Sequence, residues 1–102
     1  MTTVATADIA QSLGLSEQEL VDQALKAFLR EKKLQVLRLQ LEILARYHVE
    51  SPDALAAAIA EAEVHEHPAW EDLIVAENLQ ARLERINEYL EDLQRPVSHR
   101  AG

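Results

Sequence analysis

Apolar residues recur at intervals of three and four along most of the chain, the spacing that places side chains on one face of an α-helix. The first such run is Leu20, Val21, Ala24, Leu25, Phe28 and Leu29. A later run has the heptad-like spacing of a helix–helix seam and consists of Leu79, Leu83, Ile86, Leu90 and Leu93. This pattern predicts an all-α fold.

Capping signals divide the pattern into three or four helices. Gly14 ends a short first helix, and Ser16 with Glu19 forms a capping box that begins a long second one. Ser51-Pro52-Asp53 is typical of a new helix start, and Pro68 separates the last two helices. We therefore predict helices over about 6–13, 16–48, 52–64 and 69–93, in one domain over 1–94 with a disordered tail over 95–102.

The stretch from Leu34 to Leu44 is compatible with two secondary structures. Leu37, Leu39, Leu41 and Ile43 alternate with polar residues as in a strand, but the same residues fit a helix without interruption. We predict a helix, whose apolar arc is too wide for a simple surface helix. Self-association would cover the excess. The predicted oligomer interface comprises Leu34, Leu37, Leu41, Leu44, Leu83, Ile86 and Leu90.

Composition supports a small helical protein. The chain has 102 residues, including 16 Leu and 16 Ala but only 5 Gly and Pro together. There is no Cys, which excludes disulfides and thiolate chemistry. No apolar run approaches the ~20 residues of a membrane span, and no signal pattern begins the chain, so we expect a cytoplasmic protein.

The net charge of −8 is concentrated in one part of the sequence. Residues 49–78 contain eight acidic side chains and no Lys or Arg, so this acidic segment alone totals −8. Such a segment is either a solvated face or a docking surface for a basic partner.

Trp70 is the most unusual residue of this segment. Next to Pro68 and two acids, its ring either closes the start of the last helix against the core or serves as an exposed binding anchor, a role in which Trp is enriched. The predicted partner-binding residues are Glu61, Glu63, Glu66, Trp70, Glu71 and Asp72.

Metal binding and catalysis find little support in the sequence. His65 and His67 are two residues apart, a spacing that points their side chains about 200° apart on a helix. There is no glycine-rich phosphate loop, and the serines at 12, 16, 51 and 98 are explained mostly as caps or turn residues. We expect no enzyme, no metal and no cofactor.

Two family resemblances suggest functions. The run Thr6-Ala-Asp-Ile-Ala-Gln-Ser-Leu-Gly-Leu-Ser16, followed by residues 19–32, resembles the two helices of ribbon-helix-helix regulators, although no basic strand precedes it. This likeness implies a DNA-binding autoregulator using residues 6–33. The basic stripe Lys26, Arg30 and Lys33 fits contact with phosphates or, equally, salt bridges to the acidic segment of a neighbouring chain. Because the net charge is −8, we expect no tight binding of duplex DNA by this chain alone.

The overall layout is similar to small antitoxins of bacterial and archaeal toxin–antitoxin modules. These have a helical N-terminal part, a Leu-rich helix and an acidic segment of the Pro-Ala-Trp-Glu-Asp kind. The likeness implies that the acidic segment covers and neutralises a basic ribonuclease toxin. The wide apolar arc of the second helix and the later heptad seam separately predict a homo-oligomer, most simply a dimer. Our leading prediction is a non-enzymatic, antitoxin-like protein that docks residues 49–78 on a basic partner. DNA binding, or oligomerisation without a specific ligand, are the alternatives.

Overall fold

Four helices make up the fold in a computed structural model that describes residues 2–95. They are α1 (Thr2–Ser12), α2 (Glu17–Ala45), α3 (Pro52–Ala60) and α4 (Glu66–Gln94). The all-α prediction is confirmed, and the ambiguous stretch Leu34–Leu44 lies within α2 rather than in a strand. The predicted tail falls almost entirely on residues 96–102, which lie outside the described part of the chain.

Helices α2 and α4 form an antiparallel pair that is the frame of the molecule. Arg46 at the end of α2 lies 3.4 Å from Asp72 near the start of α4, while Leu25 and Leu93 line one cavity at the opposite end. Each helix has 29 residues and is therefore about 43 Å long. The molecule is accordingly elongated, with extents of 59 × 30 × 19 Å.

The core lies along the contact between these two helices and beneath α3. It includes Val36, Ile43 and Leu44 from α2, Leu55 from α3, and Leu73, Ala76, Leu79, Leu83, Ile86 and Leu90 from α4. Gln40 is buried among them and donates to the carbonyl of Ala76 at 3.1 Å and to Oε1 of Gln80 at 3.2 Å. Its amide is therefore satisfied inside the contact, as a buried polar group must be.

The core corrects part of the predicted oligomer interface. Leu44, Leu83, Ile86 and Leu90 are all buried within one chain, because the α4 seam packs against α2 of the same molecule. They are not available to a second copy. Leu34, Leu37 and Leu41 remain on the surface of α2, with Leu41 67 % exposed.

Three helices end in the same hydrogen-bonded turn, with one residue in the left-handed region. These residues are Gly14 (φ 73°), His48 (φ 57°) and Ala62 (φ 60°). After α3, for example, the amide of Ala62 donates to Ile59 at 3.1 Å and that of Glu63 donates to Ala58 at 2.9 Å. This arrangement satisfies the last carbonyls of a helix. It ends α2 at Ala45 and α3 at Ala60, so the predicted ends at 48 and 64 were too late.

Helix starts agree more closely with the sequence signals. Ser16 and Glu19 form the predicted capping box, with bonds of 2.8 and 3.0 Å, and the Ser51 hydroxyl accepts from the amide of Ala54. Helix α4 is interrupted at His67, whose backbone is non-helical, so its continuous part begins close to the predicted residue 69. Helix α1 begins at Thr2, earlier than predicted.

Candidate protein-binding site

The acidic segment is folded into α3, the start of α4 and the short connection between them. Ala69, Leu73 and Ala76 are buried, and they fix one side of the first turns of α4 against the core. With 100° of rotation per residue, Trp70 and Ile74 consequently point outward, four residues apart on one face. Their residues are 54 % and 52 % exposed.

The exposure of Trp70 bears on the two interpretations of its ring. A side chain that closes the helix against the core would be largely buried, whereas Trp70 is more than half exposed and does not belong to the core cluster. Ile74 extends the same apolar surface and was missed from the sequence, although its spacing of four residues from Trp70 could have indicated it.

Four of the predicted acids lie at the same end of the molecule as this apolar pair. Glu61 and Glu63 lie in the five-residue connection after α3, while Glu66 and Glu71 lie in the first turns of α4, and all four are exposed. We call Glu61, Glu63, Glu66, Trp70, Glu71 and Ile74 the acidic patch. The pKa of the Glu63 carboxyl is raised, mainly by a hydrogen bond with Glu61. Repulsion from the Glu61 charge and slight desolvation raise this pKa further.

Asp72 does not belong to the acidic patch, contrary to the sequence prediction. Its carboxylate accepts a hydrogen bond from the Tyr47 hydroxyl, and it lies 3.4 Å from Nη1 of Arg46, so its side chain is only 21 % exposed. The hydrogen bond to Asp72 is the main cause that raises the Tyr47 pKa, with desolvation and the Asp72 charge adding to it and Arg46 opposing. Asp72 therefore joins α4 to the end of α2.

His67 contacts a carboxylate one turn further along α4. Nδ1 of His67 lies 3.5 Å from Oε2 of Glu71, and both side chains are largely exposed. Among the residues that the structure describes, no group of three or more His, Asp or Glu side chains is placed to hold a metal ion. This contact is an ion pair only when His67 is protonated.

The N-terminal region has two helices but not the ribbon of a ribbon-helix-helix regulator. Residues 6–33 do fold into α1, a turn at Gly14 and the first half of α2. The residues before them are helical from Thr2 onward, so they do not form the strand with which such regulators read DNA. Of the basic stripe, Arg30 is exposed, while Lys26 and Lys33 are half-buried.

The fold and the acidic patch define a small all-α protein with a candidate surface for binding another protein. The chain belongs to the uncharacterized protein MJ0235 family, whose family model matches residues 1–97. No curated protein and no solved structure matches the chain significantly. Within residues 2–95, no helix is long and apolar enough to cross a membrane.

Proposed function

We propose that this chain is a non-enzymatic protein-binding module that docks its acidic patch on a basic protein surface. The observation that carries the proposal is the outward-facing pair Trp70 and Ile74 at the end of the molecule that also carries exposed acids. A basic ribonuclease toxin, as in toxin–antitoxin modules, is the partner class suggested by the overall layout of the chain.

The charge of the acidic patch supports association with a basic surface. Glu61, Glu63, Glu66 and Glu71 contribute four negative charges, and the sequence has no Lys or Arg between Arg46 and Arg82. Arg46 is itself engaged with Asp72. The resulting field is not cancelled locally, so it attracts positive surfaces over about one Debye length, ~8–10 Å at moderate salt. Such fields act mainly on the association rate.

The apolar pair Trp70 and Ile74 supports slow dissociation of the complex once it has formed. Truncation to Ala of a buried aromatic anchor at the centre of an interface commonly costs ~2 kcal/mol or more of binding free energy, whereas truncation of a charged residue at the rim costs less. Trp70 has the position for this role, since it is more than half exposed and does not belong to the core cluster. The acidic charges should therefore determine mainly the association rate, and Trp70 should determine mainly the dissociation rate.

The experiment compares affinity capture by three forms of the full chain from lysate of the source organism. They are the wild type, a double variant with Glu63→Lys and Glu66→Lys in the acidic patch, and a control with Glu88→Lys and Glu91→Lys. The control residues are also exposed acids but lie in the second half of α4. Both variants change the net charge equally, so any difference between them reports position rather than total charge.

We expect a basic protein to be retained by the wild type and the control but lost from the acidic-patch variant. Rebinding of the purified partner should show a slower association rate for Glu66→Lys and a dissociation rate at least about tenfold faster for Trp70→Ala. Equal capture by both double variants, or an unchanged dissociation rate for Trp70→Ala, would contradict the proposal. Circular dichroism of each variant confirms that the helices are intact.

A further inference from the structure

Three adjoining cavities follow α2 from its first turns to its middle. The first, of about 480 Å³, lies between α1 and α2 and is lined in part by Leu25 and Phe28. The second, of about 340 Å³, shares these two residues with the first and reaches the end of α4. The third, of about 450 Å³, shares Leu29 and Tyr89 with the second. Together they make one groove, and each volume is in the range of small-molecule clefts.

The groove is apolar at the end that includes α1. Thr6 is the one polar residue that lines the first cavity, and Asp92 is the one charged residue that lines the second. Oδ1 of Asp92 lies 3.5 Å from Nη1 of Arg95, so the Asp92 charge is compensated within the chain. The other residues that line these two cavities are hydrophobic or aromatic: Ile9, Leu20, Val21, Ala24, Leu25, Phe28, Leu29, Tyr89 and Leu93.

The opposite end of the groove is cationic. Lys32 of α2 and Arg82 and Arg85 of α4 line the third cavity, with no acidic residue among the described residues around it. The three ion pairs within residues 2–95 involve other cations, so none of these three side chains is in a salt bridge. Nζ of Lys32 instead lies 3.4 Å from Oε1 of Gln35 and 5.7 Å from the centre of the Phe28 ring.

Two acids lie close to these cations along the helices without lining the cavity. Glu88 follows Arg85 by three residues, and its charge adds to the hydrogen bond and charge of Tyr89 in raising the Arg85 pKa. Glu31 is next to Lys32 in the sequence and points about 100° away from it around α2. Arg82 has no acid three or four residues away on either side. The cationic end therefore keeps a positive charge within a chain whose net charge is −8.

We propose that this groove binds a long-chain fatty acid as a single molecule, with its carboxylate at Lys32, Arg82 and Arg85 and its hydrocarbon chain along the apolar end. A fatty acid has one charge at one end and hydrocarbon over the rest, which is the distribution that the lining residues complement. Val21 and Lys32 are eleven residues apart, or about 16 Å along α2. An extended chain of about 14 carbons has a similar length.

The two ends of the groove make different contributions to binding. Arginine pairs with a carboxylate through charge-assisted hydrogen bonds, which a neutral head group does not form. Leu25, Phe28 and Tyr89 are 44, 56 and 48 % exposed, so a hydrocarbon chain lying on them removes apolar surface of both molecules from water. Full burial of one CH₂ group strengthens binding about fourfold, and burial in an open groove strengthens it less.

A chain-length series tests the groove as a site of fixed length. The full chain is titrated with cis-parinaric acid, a fluorescent fatty acid, which is then displaced by saturated acids at concentrations where they are monomeric. We expect affinity to rise by about twofold or more per added CH₂ up to about 14 carbons and to level off beyond. The alcohol of the same length should bind at least about tenfold more weakly. No binding, equal binding of the alcohol, or affinity that keeps rising with length, as in nonspecific partition, would overturn the proposal.

Two pairs of variants locate the ends of the bound molecule. Arg82→Gln with Arg85→Gln should weaken binding at least about tenfold, whereas Arg30→Gln with Arg38→Gln, which removes the same charge from exposed arginines outside the groove, should not. Phe28→Ser should likewise weaken binding, and Leu34→Ser is its control, since Leu34 is similarly exposed and lines none of the three cavities. Circular dichroism verifies the fold of each variant, and equal effects within either pair would overturn the assignment.

A flotation assay distinguishes a single fatty acid from a membrane surface as the source of the anionic group. Vesicles of phosphatidylglycerol should leave the protein unbound, because the groove takes one chain rather than a bilayer. Flotation that is lost in Arg82→Gln with Arg85→Gln would assign the cations to a membrane and contradict the proposal. The groove uses no residue of the acidic patch, so these results do not depend on binding of a basic partner.

Discussion

Replacing Ala62 by Gly should stabilise this protein, although it removes a side chain and introduces the most flexible residue. Ala62 has a φ of 60°, in the left-handed region. This conformation costs an L-residue about 1–2 kcal/mol and costs Gly almost nothing. Gly loses about 0.5–1 kcal/mol more backbone entropy on folding than Ala does. The difference predicts a net gain of about 0.5–1 kcal/mol, or roughly 4 °C in melting temperature for a domain of this size.

Two further substitutions supply the controls. Gly14→Ala is the reverse change at an equivalent turn, where φ is 73° and a Cβ would meet no atom within 4 Å. It should cost about as much as Ala62→Gly gains, because only the backbone conformation is at issue. Ala57→Gly changes an exposed residue inside α3 and should destabilise by about 1 kcal/mol.

The stability of all three variants is measured by urea and thermal unfolding, with circular dichroism as the probe and one fixed protein concentration throughout. The fixed concentration matters because dimerisation would contribute to apparent stability. If Ala62→Gly loses stability as Ala57→Gly does, the left-handed turn after α3 is not formed and the reasoning fails. An unchanged stability of the Gly14→Ala variant would refute the reasoning equally.

Other predictions concern the core and the two shifted pKa values. Leu55 is fully buried, so Leu55→Ala should cost about 3–5 kcal/mol in urea unfolding and detach α3; a cost below about 1 kcal/mol would contradict its place in the core. Because the Tyr47 pKa is raised above its ordinary 10.0, its neutral form stabilises the fold below that pH, and this contribution is lost as pH rises through the folded-state pKa. Unfolding at pH 8 to 11 should therefore show a steeper loss in wild type than in Tyr47→Phe. Glu61→Gln should lower the Glu63 pKa toward its ordinary value in a carbon-13 NMR titration, and an unchanged value would exclude Glu61 as the cause.

Local signals in the sequence were sufficient for the starts of α2 and α3 but not for their ends. Ser16 and Ser51 cap as predicted, since a cap is a contact between residues three apart. The ends of α2 and α3 were misjudged because His48 and Ala62 occupy positions where Gly is usual. No residue preference marks these two positions as the end of a helix.

Contacts between distant residues account for the remaining errors at the candidate site. The heptad run to Leu93 predicts a partner helix, but periodicity does not say whether that helix belongs to the same chain. Here it is α2, which buries Leu83 and Leu90. Asp72 was counted among the free acids because its partners, Arg46 and Tyr47, are 26 and 25 residues away. A charge total along the sequence does not reveal such pairing.

The three-dimensional arrangement changes the meaning of the net charge. Eight acids in residues 49–78 suggest one continuous negative segment, yet Asp72 is used within the fold and the exposed acids of the patch gather at one end. Arg82 and Arg85, with Lys32, lie near the middle and other end of the same long pair of helices. An elongated body with charge separated in this way can present its acidic end to a basic protein.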